Sequence, residues 1–168
     1  MANLMSRTLA LVLAFLFVTP HAFADVVSHR ATTDITPDSV LAAMNDYRAQ
    51  YNLPPLQHEA RLVAAAADRM RDMEELSYWS HESPDGRSPF MWLRVRNYPF
   101  ANAGENLASG FETTELLVSS WMESKGHRAN ILSPMYTDVG IAIIDGATTG
   151  SANGKSIVVL FGRQRSDK

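Results

Sequence analysis

The sequence contains no cysteine among its 168 residues, so neither disulfide bonds nor thiol chemistry is available to it. Basic residues do not predominate either, because 15 Lys and Arg stand against 18 Asp and Glu, a formal net charge of −3. This balance gives no electrostatic footprint for nucleic acid or for an anionic membrane surface. Stability must therefore come from a hydrophobic core, and nucleic acid is not among the expected partners.

Motifs that would name a reaction directly are also absent. The sequence has no Gly-x-Ser-x-Gly nucleophile elbow, no glycine-rich phosphate loop and no His-Glu-x-x-His helix. Any catalytic or binding site must therefore be built from side chains that lie far apart along the chain.

The segment from Met1 to Ala24 has the three parts of a secretory signal peptide. Arg7 supplies a positive charge, residues 9–18 form an almost unbroken apolar run, and Ala22-Phe23-Ala24 is a small-x-small cleavage site. We expect cleavage after Ala24 and export to the periplasm or the exterior. An uncleaved amino-terminal anchor is the competing interpretation, although the run is short for a membrane span. No second run of that length follows, so no transmembrane span is expected after signal removal.

Removal of the signal leaves 144 of the 168 residues, enough for one domain with a sizeable core. We expect a flexible leader over residues 25–35, one domain over 36–163 and a charged tail over 164–168. Helical patterns come first and two strand patterns last, which favours an α+β fold with helices packed on an antiparallel sheet.

Apolar periodicity and capping residues predict the elements of this domain. Gly126 is expected to end the fourth helix, and residues 104–108 fit either an extended segment or a loop. Two strands are expected over 139–144 and 157–161, joined by a hairpin connection. The expected helices begin at Thr36-Pro37, His58-Glu59, Ser88-Pro89 and Thr113, with a brief fifth helix over 128–132.

Three side chains are candidates for chemistry. His81 follows two aromatic residues in a predicted loop, His127 follows Gly126, and Glu105 lies in a short, otherwise apolar segment. Each also has an ordinary structural explanation: packing or capping for the histidines, and a hydrogen bond to backbone amides for the carboxylate. The three are widely separated along the chain, and their spacing does not show that they meet.

Four stretches occur in the order typical of one family. They are Leu-Pro-Pro-Leu at 53–56, Ser-His-Glu-Ser-Pro-Asp-Gly-Arg-Ser at 80–88, Gly-Glu-Asn-Leu-Ala at 104–108, and Trp121 followed by Gly-His-Arg-Ala-Asn-Ile-Leu at 126–132 and Val139-Gly140. On these residues the sequence resembles a bacterial member of the CAP superfamily (cysteine-rich secretory proteins, antigen 5 and pathogenesis-related 1), also called SCP-like. The resemblance covers about residues 37–161.

The resemblance implies a three-layer α-β-α sandwich with a central antiparallel sheet, and a cleft in which two histidines and acidic residues converge. His81, Glu105 and His127 match three of the four cleft positions that many members carry. The fourth position, usually a glutamate, is Ser124 here. A second departure is Arg69, where bacterial relatives commonly carry a histidine.

The resemblance also implies a divalent metal such as zinc in some members, held between the histidines. His81 and His127 are the candidate ligands, with Glu105 as a third ligand or as a candidate base. Three hypotheses follow. The first is a secreted binding protein whose cleft takes a metal and a small ligand or cell-envelope component, with no defined reaction. The second is a metal-assisted hydrolase of peptide or cell-envelope substrates, and the third is lipid or sterol binding.

Overall fold

In the computed structural model, which describes residues 34–146 and 154–165, five helices and four strands are interspersed along the chain. The helices are α1 (Pro37–Gln50), α2 (Ala60–Glu75), α3 (Met91–Val95), α4 (Thr114–Glu123) and α5 (Lys125–Ile131). The strands are β1 (Gln57–His58), β2 (Phe100–Phe111), β3 (Asp138–Asp145) and β4 (Lys155–Gln164). The α+β fold class expected from the sequence is confirmed.

The first helix begins where its capping residues predict. The Thr36 hydroxyl accepts a hydrogen bond from the Ser39 N–H, and the Ser39 hydroxyl accepts one from the Thr36 N–H, which is a capping box. Pro37 occupies the first helical position, where its missing N–H leaves no hydrogen bond unmade.

The second helix begins slightly later than expected. Glu59 is the N-cap, and its carboxylate accepts from the N–H groups of Arg61 and Leu62, so α2 starts at Ala60. His58 belongs instead to the two-residue strand β1. The sequence therefore predicts the N-cap of α2 correctly at Glu59. The prediction that His58 belongs to the helix start is wrong.

One residue, Ser124, separates α4 from α5. Its backbone is extended, with φ −79° and ψ 121°, so α4 ends at Glu123 and α5 begins at Lys125. Gly126 lies inside α5, and the prediction that it ends the fourth helix is wrong. Glycine near a helix end is a common stop signal, but here an ordinary backbone conformation at serine makes the break.

The four strands form one sheet in the order β1-β3-β4-β2. The three long strands are antiparallel, as expected, whereas β1 pairs in parallel with β3 through Gln57 and His58. The sheet is therefore mixed. The segment over 104–108, left undecided between strand and loop, is the centre of the 12-residue strand β2.

Helices cover both faces of the sheet and create two hydrophobic cores. Alternate residues of β4 serve each core: Ile157, Val159 and Phe161 pack with α1, α4 and α5, and Val158 and Leu160 pack with α2 and α3. All five are fully buried, which explains why this strand is a continuous apolar run in the sequence. The result is the expected α-β-α sandwich.

The outer edge of β2 is closed by side chains. Its carbonyl groups at three alternate residues, Ala103, Glu105 and Leu107, point away from β4. They accept hydrogen bonds from Tyr136 Oη (3.0 Å), Asn130 Nδ2 (3.0 Å) and Trp121 Nε1 (3.2 Å) respectively. Backbone groups that no strand pairs thus find partners, and the backbone of Glu105 is fixed in the middle of the row.

The ends of the domain differ a little from expectation. Ile35 is buried in the core, and the Asp34 carbonyl accepts from Ser39 and Thr114 hydroxyls, so the leader expected over 25–35 overlaps the fold at its last two positions. At the other end, β4 runs to Gln164, the first position of the expected tail. The signal peptide and the tip of the hairpin fall outside the described residues.

We predict opposite effects of adding one methyl group at two glycines. A Cβ at Gly140 would lie 2.0 Å from the backbone carbon of Leu62 in α2, so Gly140→Ala should lower the free energy of unfolding by about 3 kcal/mol. A Cβ at Gly126 meets nothing within 4 Å, so Gly126→Ala, inside a helix, should raise it by about 0.5–1 kcal/mol. Urea denaturation measures both, and a destabilising Gly126→Ala would contradict the helical placement.

Candidate functional site

His81 and Glu105 meet although they lie on different elements. His81 is on the loop of residues 76–90 between α2 and α3, which we call the His81 loop, and Glu105 is on β2. His81 Nδ1 lies 2.8 Å from Glu105 Oε1. The Glu105 side chain is only 2% exposed, whereas that of His81 is 60% exposed. The carboxylate therefore lies inside the fold and presents the imidazole at the surface.

Arg69 lies on the other side of the same carboxylate. Its side chain is 0% exposed, and its Nε donates to Glu105 Oε2 at 3.0 Å. Both oxygens of Glu105 are thus occupied, one by an imidazole and one by a guanidinium. This buried ion pair compensates each charge for its loss of water.

Sequence reasoning noted Arg69 only as a departure from the family and missed its part in the site. A signal was present, because Arg69 lies on the apolar face of α2 at helical steps from Leu62, Ala65 and Met73, all of which are buried. A buried arginine requires an acceptor, usually a carboxylate. The identity of that carboxylate, on a strand far along the chain, is a property of the tertiary structure.

His127 lies on α5, half-buried beside Trp121, with ring centroids 6.3 Å apart. The carbonyl of His127 accepts a hydrogen bond from Asn106 Nδ2 at 3.2 Å, which ties α5 to β2. Within the described residues the imidazole itself has no hydrogen-bond partner. It can therefore take up a proton, accept a hydrogen bond from a ligand or coordinate a metal.

The pKa values of the two histidines are shifted in opposite directions. The hydrogen bond to Glu105 raises the pKa of His81 above its ordinary value of 6.5, despite partial burial. Burial lowers the pKa of His127, and the nearby charge of His81 lowers it further. At a pH between the two pKa values, His81 is the charged imidazole and His127 the neutral one.

A cavity of about 410 Å³ opens beside His81. Its wall is mixed, with hydrogen-bonding groups on several sides and an aromatic ring on one; the lining residues include His81, Glu82, Ser88, Phe90, Glu105 and Asn130. His127 and Ser124 are not part of this lining. The half-buried Ser124 makes backbone hydrogen bonds to Ser120 and Arg128, so its predicted place in the cleft stays a prediction.

The side chains of the site can be compared with the ligands that a metal ion needs. Over residues 34–146 and 154–165, no group of three or more His, Asp or Glu side chains is arranged to hold a metal ion. Glu105 would have to release His81 or Arg69 to act as a ligand or as a base, so both assignments stay predictions. The two imidazoles fit better: Nδ1 of His81 is bound to Glu105, which leaves Nε2 for a ligand, and the His127 ring makes no hydrogen bond to the described part of the chain.

Residues 41–161 match the cysteine-rich secretory protein family, CAP. This match covers well over half of the chain. The chain belongs to the CAP family. The CAP domain is 36% identical over 121 residues to the protein YkwD of Bacillus subtilis, covering 68% of this chain and 47% of YkwD. It is 30% identical over 104 residues to the membrane protein YlbC of the same organism, covering 62% and 30%. The chain thus spans half or less of the length of these relatives.

Solved structures show the same fold. An extracellular protein containing an SCP domain from Bacillus anthracis matches this CAP domain with a TM-score of 0.63 and 26% identity, covering 78% of this chain and 45% of that one. An outer surface protein of Borrelia burgdorferi matches with a TM-score of 0.67 and 21% identity, covering 80% and 99%. Among the described residues of the present chain, no helix is long and apolar enough to cross a membrane.

We predict that the two histidines titrate apart. In NMR titrations of the imidazole protons, the His81 midpoint should lie above 6.5 and the His127 midpoint below it. Glu105→Gln should lower the His81 midpoint because the charged hydrogen-bond partner is lost. His81→Ala should raise the His127 midpoint because a neighbouring positive charge is removed. Equal midpoints in the wild-type chain would contradict the geometry.

Proposed function

We propose that this CAP-domain protein is secreted and that its cleft binds a small polar ligand together with a divalent metal such as zinc. The observation that carries the proposal is the contact between His81 Nδ1 and Glu105, which holds the imidazole of a cavity-lining residue in place and leaves Nε2 for a ligand. The proposal includes no defined reaction.

His81 and His127 would hold the metal. A carboxylate behind an imidazole fixes its tautomer and raises its basicity, an arrangement common at zinc sites. The lowered pKa of His127 favours the neutral imidazole, the form that binds metals. When bound, zinc would supply Lewis-acid character at the cleft floor. Because His81 must lose its second proton to bind, affinity should increase with pH.

The lining of the cavity supports a polar ligand. Glu82, Ser88 and Asn130 line the cavity together with His81 and offer hydrogen-bonding groups, and Pro89, Phe90 and Ala103 form an apolar part of the wall. A small ligand with several hydroxyl or amide groups, such as a fragment of a cell-envelope component, fits this mixture better than a fully apolar molecule.

Two observations support secretion. The segment from Met1 to Ala24 has the charge, apolar run and small-x-small site of a signal peptide. A structural relative with 26% identity is described as extracellular.

Zinc binding is predicted to depend on both cleft histidines. In calorimetric titration of the full-length mature chain, His81→Ala and His127→Ala should each weaken zinc binding by about tenfold or more. His58→Ala is the matched control, because His58 lies in β1 at the opposite edge of the sheet, near Asp38, and its loss should change nothing. Equal zinc affinity in all four proteins, or none in any, would overturn the metal proposal.

Export is predicted to remove the segment from Met1 to Ala24. Intact-mass and amino-terminal analysis of the exported protein should give Asp25 as the first residue. A product that keeps Met1 and stays with the membrane would instead support the uncleaved anchor.

A further inference from the structure

We propose that Arg69 is a positioning residue of the cleft, whose single buried guanidinium fixes His81 by two separate routes. One route passes through the Glu105 side chain and the other through the backbone of the His81 loop. The zinc part of the test rests on the proposed function, whereas the imidazole part does not.

The first route is the buried relay from helix to strand to loop. Arg69 Nε donates to Glu105 Oε2 at 3.0 Å, and Glu105 Oε1 is hydrogen-bonded to His81 Nδ1 at 2.8 Å. Arg69 and Glu105 are 0% and 2% exposed. A carboxylate so placed cannot rotate away without leaving a buried cation with only its longer, 3.9 Å contact to Asp72. The orientation of His81 therefore depends on Arg69 although the two side chains do not touch.

The second route uses the remaining nitrogens of Arg69. Nη2 donates to the carbonyl of Ser80, the residue before His81, and Nη1 donates to the Tyr78 hydroxyl. Tyr78 in turn donates to Asp72 of α2 and contacts Ser83, a buried residue just after His81. The loop is thus tied to α2 on both sides of His81.

At the centre of the His81 loop, apolar packing contributes little to holding the backbone in place. Ser80, His81 and Glu82 are all exposed. Their placement relies on polar contacts: Glu105 binds the His81 side chain, and Arg69 binds the backbone carbonyl of the preceding residue, Ser80. A lysine could not serve both routes, because it offers one compact ammonium in place of a planar fork with donors on three nitrogens.

Arg69→Lys tests the positive charge separately from the planar set of guanidinium donors. It keeps a positive charge for Glu105 but cannot also reach Ser80 and Tyr78. We expect zinc affinity to fall about tenfold or more, the usual effect of losing a group that orients a ligand. We also expect the His81 Nδ1–H resonance, slowly exchanging in the wild-type chain, to broaden in nitrogen-detected NMR.

Arg96→Lys is the matched control. Arg96 donates two hydrogen bonds, of 2.6 and 2.7 Å, to Asp68 on the same helix as Arg69. Within residues 34–146 and 154–165 it makes no hydrogen bond or ion pair with Glu105 or the His81 loop. It should lose stability without changing zinc affinity or the His81 resonance. If Arg69→Lys behaves like Arg96→Lys, Arg69 is only structural and the proposal is overturned.

A second variant covers the case in which Arg69→Lys does not fold. Tyr78→Phe keeps the ring and removes only the hydroxyl, one of the loop groups that Arg69 binds, while the bond from Arg69 to the Ser80 carbonyl remains. It should lower zinc affinity and broaden the His81 Nδ1–H resonance, each by less than Arg69→Lys does. If neither changes, the proposal is overturned. If the wild-type chain binds no zinc but the His81 resonance responds as expected, the proposed function fails and the role of Arg69 stands.

Discussion

The structure around the cleft depends on one buried ion pair, between Arg69 of α2 and Glu105 of β2. Such a pair adds little net stability, but breaking it by removing one partner costs about 3–5 kcal/mol because a bare charge stays inside. It joins a helical layer to an edge of the sheet and reaches the surface through His81. The same contact therefore fixes how two layers pack and where the exposed imidazole points. In this CAP domain, architecture and site share their central interaction.

Much of the fold could be predicted because its causes are local. Thr36 and Pro37 specify the start of α1 by capping chemistry, and the apolar run of β4 results from burial on both faces. The break between α4 and α5 could not, because nothing in the sequence marks Ser124 as extended while Gly126 is a conventional stop signal. The parallel pairing of β1 could not be predicted either, since so short a strand carries no period.

The site divides in the same way. Family order brought His81, Glu105 and His127 together, and the structure places His81 and Glu105 in contact. His127 lies beside Trp121, and its place in the same cleft stays a prediction. What composition and spacing could not supply is which partner each charge takes. Arg69 finds Glu105 and Ser80 only after α2, β2 and the loop have packed. An arginine on an apolar helical face indicates a buried acid without identifying it.

The closed edge of β2 has a consequence for how this chain meets other proteins. An exposed edge strand is a template on which a second copy or an extended peptide can add. Here Trp121, Asn130 and Tyr136 already use the carbonyls that such a strand would need. A chain with no disulfide bonds to hold its strands in place thus protects this edge of its sheet from strand addition, and one of the three side chains, Asn130, also lines the cavity beside His81. Recognition there must proceed through side chains rather than by strand addition.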